Sequence, residues 1–105
     1  FSRQLKDLGV DLIDCSSGGT LEHPDIPVGP GYQVPFAAAI KRETGILTAA
    51  VGMITEPVQA EAILHQHQAD ALFIAREFLR DPYWPARAAR ELGVTIDRPP
   101  QYGRA

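Results

Sequence analysis

Three short stretches carry the small, polar or glycine residues that could line a ligand site: "CSSGG" at 15–19, "GMITE" at 52–56 and "IAREFLR" at 74–80. Arg76 supplies a planar five-donor cation, a shape matched to phosphate oxygens. The residues from Arg76 read as a short helix, and the first N–H groups of a helix lack internal acceptors and aim partial positive charge outward. Gly52 has no side chain, so neighbouring backbone can approach the same group. "CSSGG" directly follows the apolar run "VDLID" and is small and rich in donors, which leaves room for an occupant at that point. On spacing alone a structural role for Arg76, capping or pairing at the surface, stays open.

Other reactive types read more simply. His65 and His67 stand two apart in a helical pattern, so they point away from each other and read as exposed polarity. His23 and Asp25 lie in a Pro/Gly loop without further ligand spacing, and no metal site is expected. Cys15 lacks a His/Asn partner motif and reads as buried packing. Trp84 beside Pro85 reads as packing at a helix start. Tyr32 and Tyr102 are candidates for a ligand or subunit boundary.

The elements that must position these stretches alternate. A helical pattern over about 1–8, with Phe1, Leu5 and Leu8 on one face, ends at Gly9. A strand at about 10–14 follows. The segment 18–34 holds four glycines and three prolines, the composition of a long irregular loop over that strand's end. Next come a helix at about 35–43 with Phe36 and Ile40 on one face, and a strand at about 48–54. Thr55 or Glu56, followed by Pro57, starts a helix to about 67. A strand at 69–75 leads into the short helix at 76–80. Asp81 and Pro82 start a last helix that stops at Gly93, and an extended tail is expected after it. Strict alternation predicts a parallel sheet with crossover helices. Its ligand side is the carboxyl ends of the strands, whether the sheet is half of a doubly wound fold or a slice of a (β/α)8 barrel.

With 105 residues, the chain has room for one small core at most. It is 45% apolar and 22% charged with net charge −3 and no long charge block, which argues against a broad nucleic-acid surface. The longest apolar run, "ILTAAVGMI", is too short to span a bilayer, and the N-terminus has no signal-peptide pattern. A single cysteine agrees with a reducing compartment, so a soluble cytoplasmic protein is expected.

Five stretches, "GVDLIDCSSG", "PGYQVPFA", "AAVGMIT", "ADALFIAREFLRDP" and "QYGR", resemble in order and separation the C-terminal part of the old yellow enzyme family of FMN-dependent ene-reductases, in its thermophilic-like subclass. The resemblance runs from about residue 5 to the end. It implies that residues 1–105 are strands six, seven and eight of a single (β/α)8 FMN-binding domain. It implies FMN, reduced by NADPH or NADH, and reduction of the C=C bond of α,β-unsaturated carbonyl compounds. By the same resemblance, Ser16 and then Ser17 lie near the flavin, Gly52 and Met53 flank its phosphate, and Ala75 and Arg76 grip it. The family often has glycine where Ala75 stands, and a backbone donor survives that change. Arg104 matches an arginine that reaches into the neighbouring subunit's active site, which implies a homo-oligomer. The following residue, commonly aromatic in that subclass, is Ala105 here.

The resemblance also implies donors for the substrate carbonyl, two histidines or His/Asn, and a tyrosine near the flavin, all from earlier strands. No such set is present, so no residue here is assigned as catalytic and the chain alone is expected to be inactive. The alternative is a stand-alone α/β module that binds a phosphate-bearing ligand or a protein without chemistry. Against it, all three predicted strands are apolar on both faces, including Val10, Leu12, Ile13, Val51, Met53, Ile54, Leu72, Phe73 and Ile74. Such strands need cover on both sides. The chain also opens inside a helical pattern without Met, as expected of part of something longer.

Overall fold

The computed structural model describes residues 1–18, 20, 22 and 25–104. The elements run α1 (Ser2–Asp7), β1 (Leu12–Cys15), α2 (Val34–Thr44), β2 (Leu47–Val51), α3 (Pro57–His65), β3 (Ala71–Phe73), α4 (Arg76–Arg80) and α5 (Trp84–Glu91), then a 3-10 turn at Pro100–Tyr102. The strands are parallel in the order β1-β2-β3, with Leu12 opposite Leu47, Cys15 opposite Ala50 and Val51 opposite Phe73.

Side chains alternate along a strand, so this register decides what each face carries. Ile13, Cys15, Ala50 and Leu72 share one face, which packs on Val34 and Ala37 of α2, Ala60 and Ile63 of α3, and Trp84 and Ala88 of α5 in a single core. The opposite face presents Leu12, Leu47 and Phe73, which are 36%, 50% and 46% exposed. Strands in sequence order with the packed helices on one side are consecutive βα units, an arrangement that an arc of a barrel and half of a doubly wound sheet share.

Local chemistry accounts for the boundaries. The apolar run to 54 predicts a longer second strand, but β2 stops at Val51 because Gly52 and Met53 take φ of +111° and +50°. The third strand is likewise shorter than predicted, Ala71–Phe73. Glu56 is the N-cap of α3, and the Gln59 side chain accepts the Thr55 N–H at 3.0 Å. His67 lies beyond the end of α3, at φ +56°, rather than on it as predicted. Asp81 forms a turn before α5, accepting the Tyr83 N–H on its carboxylate at 3.1 Å and the Trp84 N–H on its carbonyl at 3.0 Å. The last helix therefore starts at Trp84 rather than at Pro82. The tail, predicted as extended, contains the 3-10 turn.

The predicted apolar stripe of α1 is not buried, with Phe1 90% and Leu8 82% exposed. What holds α1 is polar: Arg3 and Lys6 donate to the carbonyls of Glu43 and Thr44 at 2.9 and 2.8 Å, capping the end of α2.

Candidate functional site

Parallel pairing brings the carboxyl ends of β1, β2 and β3 side by side, so Ser16, Gly52 and Ile74 follow the strands along one edge. A cavity of about 390 Å³ opens there, between the segments after β2 and β3. Gly52, Met53, Ala75 and Arg76 line it together with Tyr32 and Arg80. Ser16, Ser17 and Arg104 do not. Ser16 is exposed. Ser17 is turned toward Gln33, whose Oε1 accepts both its N–H and its hydroxyl, the latter at 3.1 Å. Arg104 is exposed, just past the 3-10 turn. The loop expected to roof the site falls partly outside the described residues, which include none of Gly19, Leu21, His23 or Pro24.

Gly52 has to be glycine. Its φ of +111° is a region L side chains rarely adopt, and a Cβ there would sit 2.7 Å from Gln33 Nε2 and 2.8 Å from Tyr32 Cε1. Met53, also left-handed, is held by its carbonyl, which accepts the Gly31 N–H at 3.2 Å and Gln59 Nε2 at 3.0 Å. A non-glycine residue in that conformation persists only where its surroundings enforce it.

At the end of β3, the first backbone bond of α4 is Leu79 N–H to Ala75 O at 3.3 Å, and the helix has no side-chain cap. The N–H groups of Arg76, Glu77 and Phe78 therefore donate to nothing among the described residues. The Arg76 guanidinium also has no ion pair there, and it is exposed. Glu77 lines the same cavity but is neutralised by Arg80 at 2.7 Å and Arg87 at 3.5 Å. An unpaired cation, three free N–H groups and a glycine whose missing Cβ leaves backbone accessible form a donor set that fits a phosphate.

The remaining candidates are structural in place. Cys15 is buried, its Sγ lies 3.4 Å from the Ile13 carbonyl, and burial followed by the Asp14 charge pushes its thiol pKa up. A thiol in that setting is a poor nucleophile. Trp84 is buried, meets Phe78 edge-on at 5.7 Å and donates Nε1–H to the Thr55 carbonyl at 2.7 Å. It thereby ties α5 to the start of α3. Among the described residues, no three His, Cys, Asp or Glu side chains come together as a metal site, and no helix is long and apolar enough to cross a membrane.

Two residues that sequence reasoning passed over are central to the geometry. Gln33 links Ser17 to the Val51 carbonyl, which accepts its Nε2 at 3.0 Å, and Gln59 holds Met53. The E-x-x-Q pattern at 56–59 is a capping signal that marks Gln59. Nothing local marks Gln33, because its partners lie 16 and 18 residues away.

The sequence model of the NADH:flavin oxidoreductase / NADH oxidase family matches residues 1–94. Over all 105 residues the chain is 58% identical to an NADPH dehydrogenase of Halalkalibacterium halodurans, of which it covers 31%. It is 55% identical over 104 residues, 99% of its length, to an NADPH dehydrogenase of Geobacillus thermodenitrificans, covering 30% of that protein. With an NADPH dehydrogenase of Bacillus licheniformis the identity is 53% over 105 residues, again 31% of the relative. The chain thus spans slightly under a third of the length of the curated relatives it matches.

Proposed function

The chain belongs to the NADH:flavin oxidoreductase / NADH oxidase family, and from that premise we propose that it is the phosphate-binding part of an FMN-dependent NADPH dehydrogenase. The observation that carries this reading is Arg76, unpaired among the described residues and lining one cavity with Gly52 and Met53. In the proposed enzyme the three strands are six, seven and eight of a (β/α)8 barrel, and the other strands cover the apolar sheet face. FMN, once reduced by NADPH or NADH, supplies hydride transfer to the C=C bond of an α,β-unsaturated carbonyl compound.

This chain's residues bind and orient. Arg76 and the free N–H groups of α4 hold the phosphate dianion, Ala75 contributes backbone, and the Gly52–Met53 turn closes the other side. Ser16, whose neighbour Ser17 is held by Gln33, stands toward the flavin ring. Arg104 reaches the active site of a second copy in a cytoplasmic homo-oligomer. No residue of this chain takes a proton in the reaction, and the groups that hold the substrate carbonyl lie in the rest of the enzyme.

The test is FMN binding by the full-length apoprotein, followed by flavin fluorescence. Loss of charge-assisted hydrogen bonds makes Arg76→Ala weaken FMN by about 10- to 100-fold. Arg104→Ala leaves FMN affinity unchanged and raises KM for the enone. Wild-type FMN affinity in Arg76→Ala sinks the phosphate assignment, and an unchanged KM in Arg104→Ala sinks the subunit contact.

A further inference from the structure

We propose that Gln33 and Gln59 are positioning residues that preset the turn Gly52–Ile54 for the phosphate, an inference that rests on the phosphate reading of the cavity above. Gln33 is only 4% exposed, and both the oxygen and the nitrogen of its carboxamide are engaged. Oε1 accepts from Ser17, and Nε2 donates to the Val51 carbonyl at 3.0 Å. Gln59 does the same one step along: Nε2 donates to the Met53 carbonyl at 3.0 Å, while Oε1 accepts the N–H groups of Thr55 and Glu56 at 3.0 and 3.5 Å.

In a trans peptide the N–H points opposite to the C=O of the same unit. Holding the Val51 carbonyl against Gln33 therefore turns the Gly52 N–H away from Gln33, and holding the Met53 carbonyl turns the Ile54 N–H away from Gln59. Gly52, Met53 and Ile54 all line the cavity. Two glutamines, from the loop before α2 and the first turn of α3, thus hold alternate carbonyls of one turn and fix the backbone of this cavity wall before any ligand arrives. Such preorganisation strengthens binding by removing the cost of ordering the turn. The contact is tight enough that Gly52 and Gln33 are interdependent, since a Cβ on residue 52 would meet Gln33 Nε2 at 2.7 Å.

A purely structural role, satisfying buried polar groups, would affect any flavin equally. The phosphate role would not. Full-length wild type, Gln33→Met, Gln33→Glu and Gln59→Met are titrated as apoproteins with FMN and with riboflavin, which lacks the phosphate, and their Tm values are recorded. Loss of about one hydrogen-bonded tie lowers FMN affinity about tenfold in both Met variants, while riboflavin affinity changes less than about threefold. Gln33→Glu keeps an acceptor for Ser17 but has no donor for Val51, and it weakens FMN as much as Gln33→Met does. Equal losses for FMN and riboflavin, or unchanged FMN affinity, overturn the proposal. Gln59 is less buried than Gln33, so Gln59→Met decides the matter if Gln33→Met does not fold. Wild type that binds riboflavin as tightly as FMN overturns the phosphate reading itself. A wild-type preference for FMN that the variants retain overturns only the role of the glutamines.

Discussion

Arg80 and Arg87 both reach back to Glu77, and their pairing is what allows an acidic residue to line the proposed phosphate cavity without repelling its ligand. Arg76, one position earlier, is left to act outward. Its type and place were legible in the sequence because a cation at the start of a helix after a strand is a local pattern. Thr48 is the opposite case. It is 0% exposed, and its hydroxyl finds no partner among the described residues, so the fold bears the desolvation of that group without return. Thr48→Val removes the hydroxyl at nearly constant shape and is expected to stabilise the full-length protein by about 1 kcal/mol, read as a higher denaturant midpoint. A clear loss of stability would mean that the hydroxyl has a partner in the assembled enzyme.

Between elements, the amino ends of β2 and β3 are clipped by Asp70. Its carboxylate accepts the Thr48 N–H at 2.9 Å and pairs with Lys41 of α2, while its own N–H donates to the Thr48 carbonyl at 2.8 Å. The Lys41 hydrogen bond, then the Thr48 N–H, lower the Asp70 pKa. A carboxylate depressed in the folded state contributes stability that is complete above its unfolded pKa and lost as pH falls through the folded one. The Tm gap between wild type and Asp70→Asn is therefore constant above about pH 5 and narrows as the pH drops below about 4. A gap that does not vary with pH would remove the charge from the account. The clip was not visible in the sequence, since its partners stand 22 and 29 residues away. The order of elements was visible, and so was the Glu56 cap. The early stop of β2 was not, because the run through Met53 and Ile54 remains apolar and only tertiary bonds to Gly31 and Gln59 turn Met53 left-handed.

For the whole molecule, the decisive feature is the sheet face that carries Leu12, Leu47 and Phe73. An apolar face of this kind marks an association surface, and in the proposed enzyme the remaining strands occupy it. The 105-residue chain prepared alone is expected to self-associate and, supplied with excess FMN, NADPH and an enone, to consume NADPH no faster than free FMN does. Enone-dependent NADPH consumption by the isolated chain would show that the carbonyl-holding groups lie within these residues after all.

The alternating pattern, the parallel sheet and the polar character of the strand ends follow from residue type and short-range spacing, which is why the sequence alone carried them. Strand order and helix side were decided only by the tertiary structure, because they depend on the handedness and packing of crossovers rather than on any local run. The site divides the same way. Arg76 and Gly52 announce themselves by type, whereas the left-handed Met53, the Gln59 that holds it, the Gln33 on the Val51 carbonyl, and the lack of an ion pair for Arg76 among the described residues arise from contacts across the chain and exist only once α2, α3 and α4 have docked on one face of the sheet.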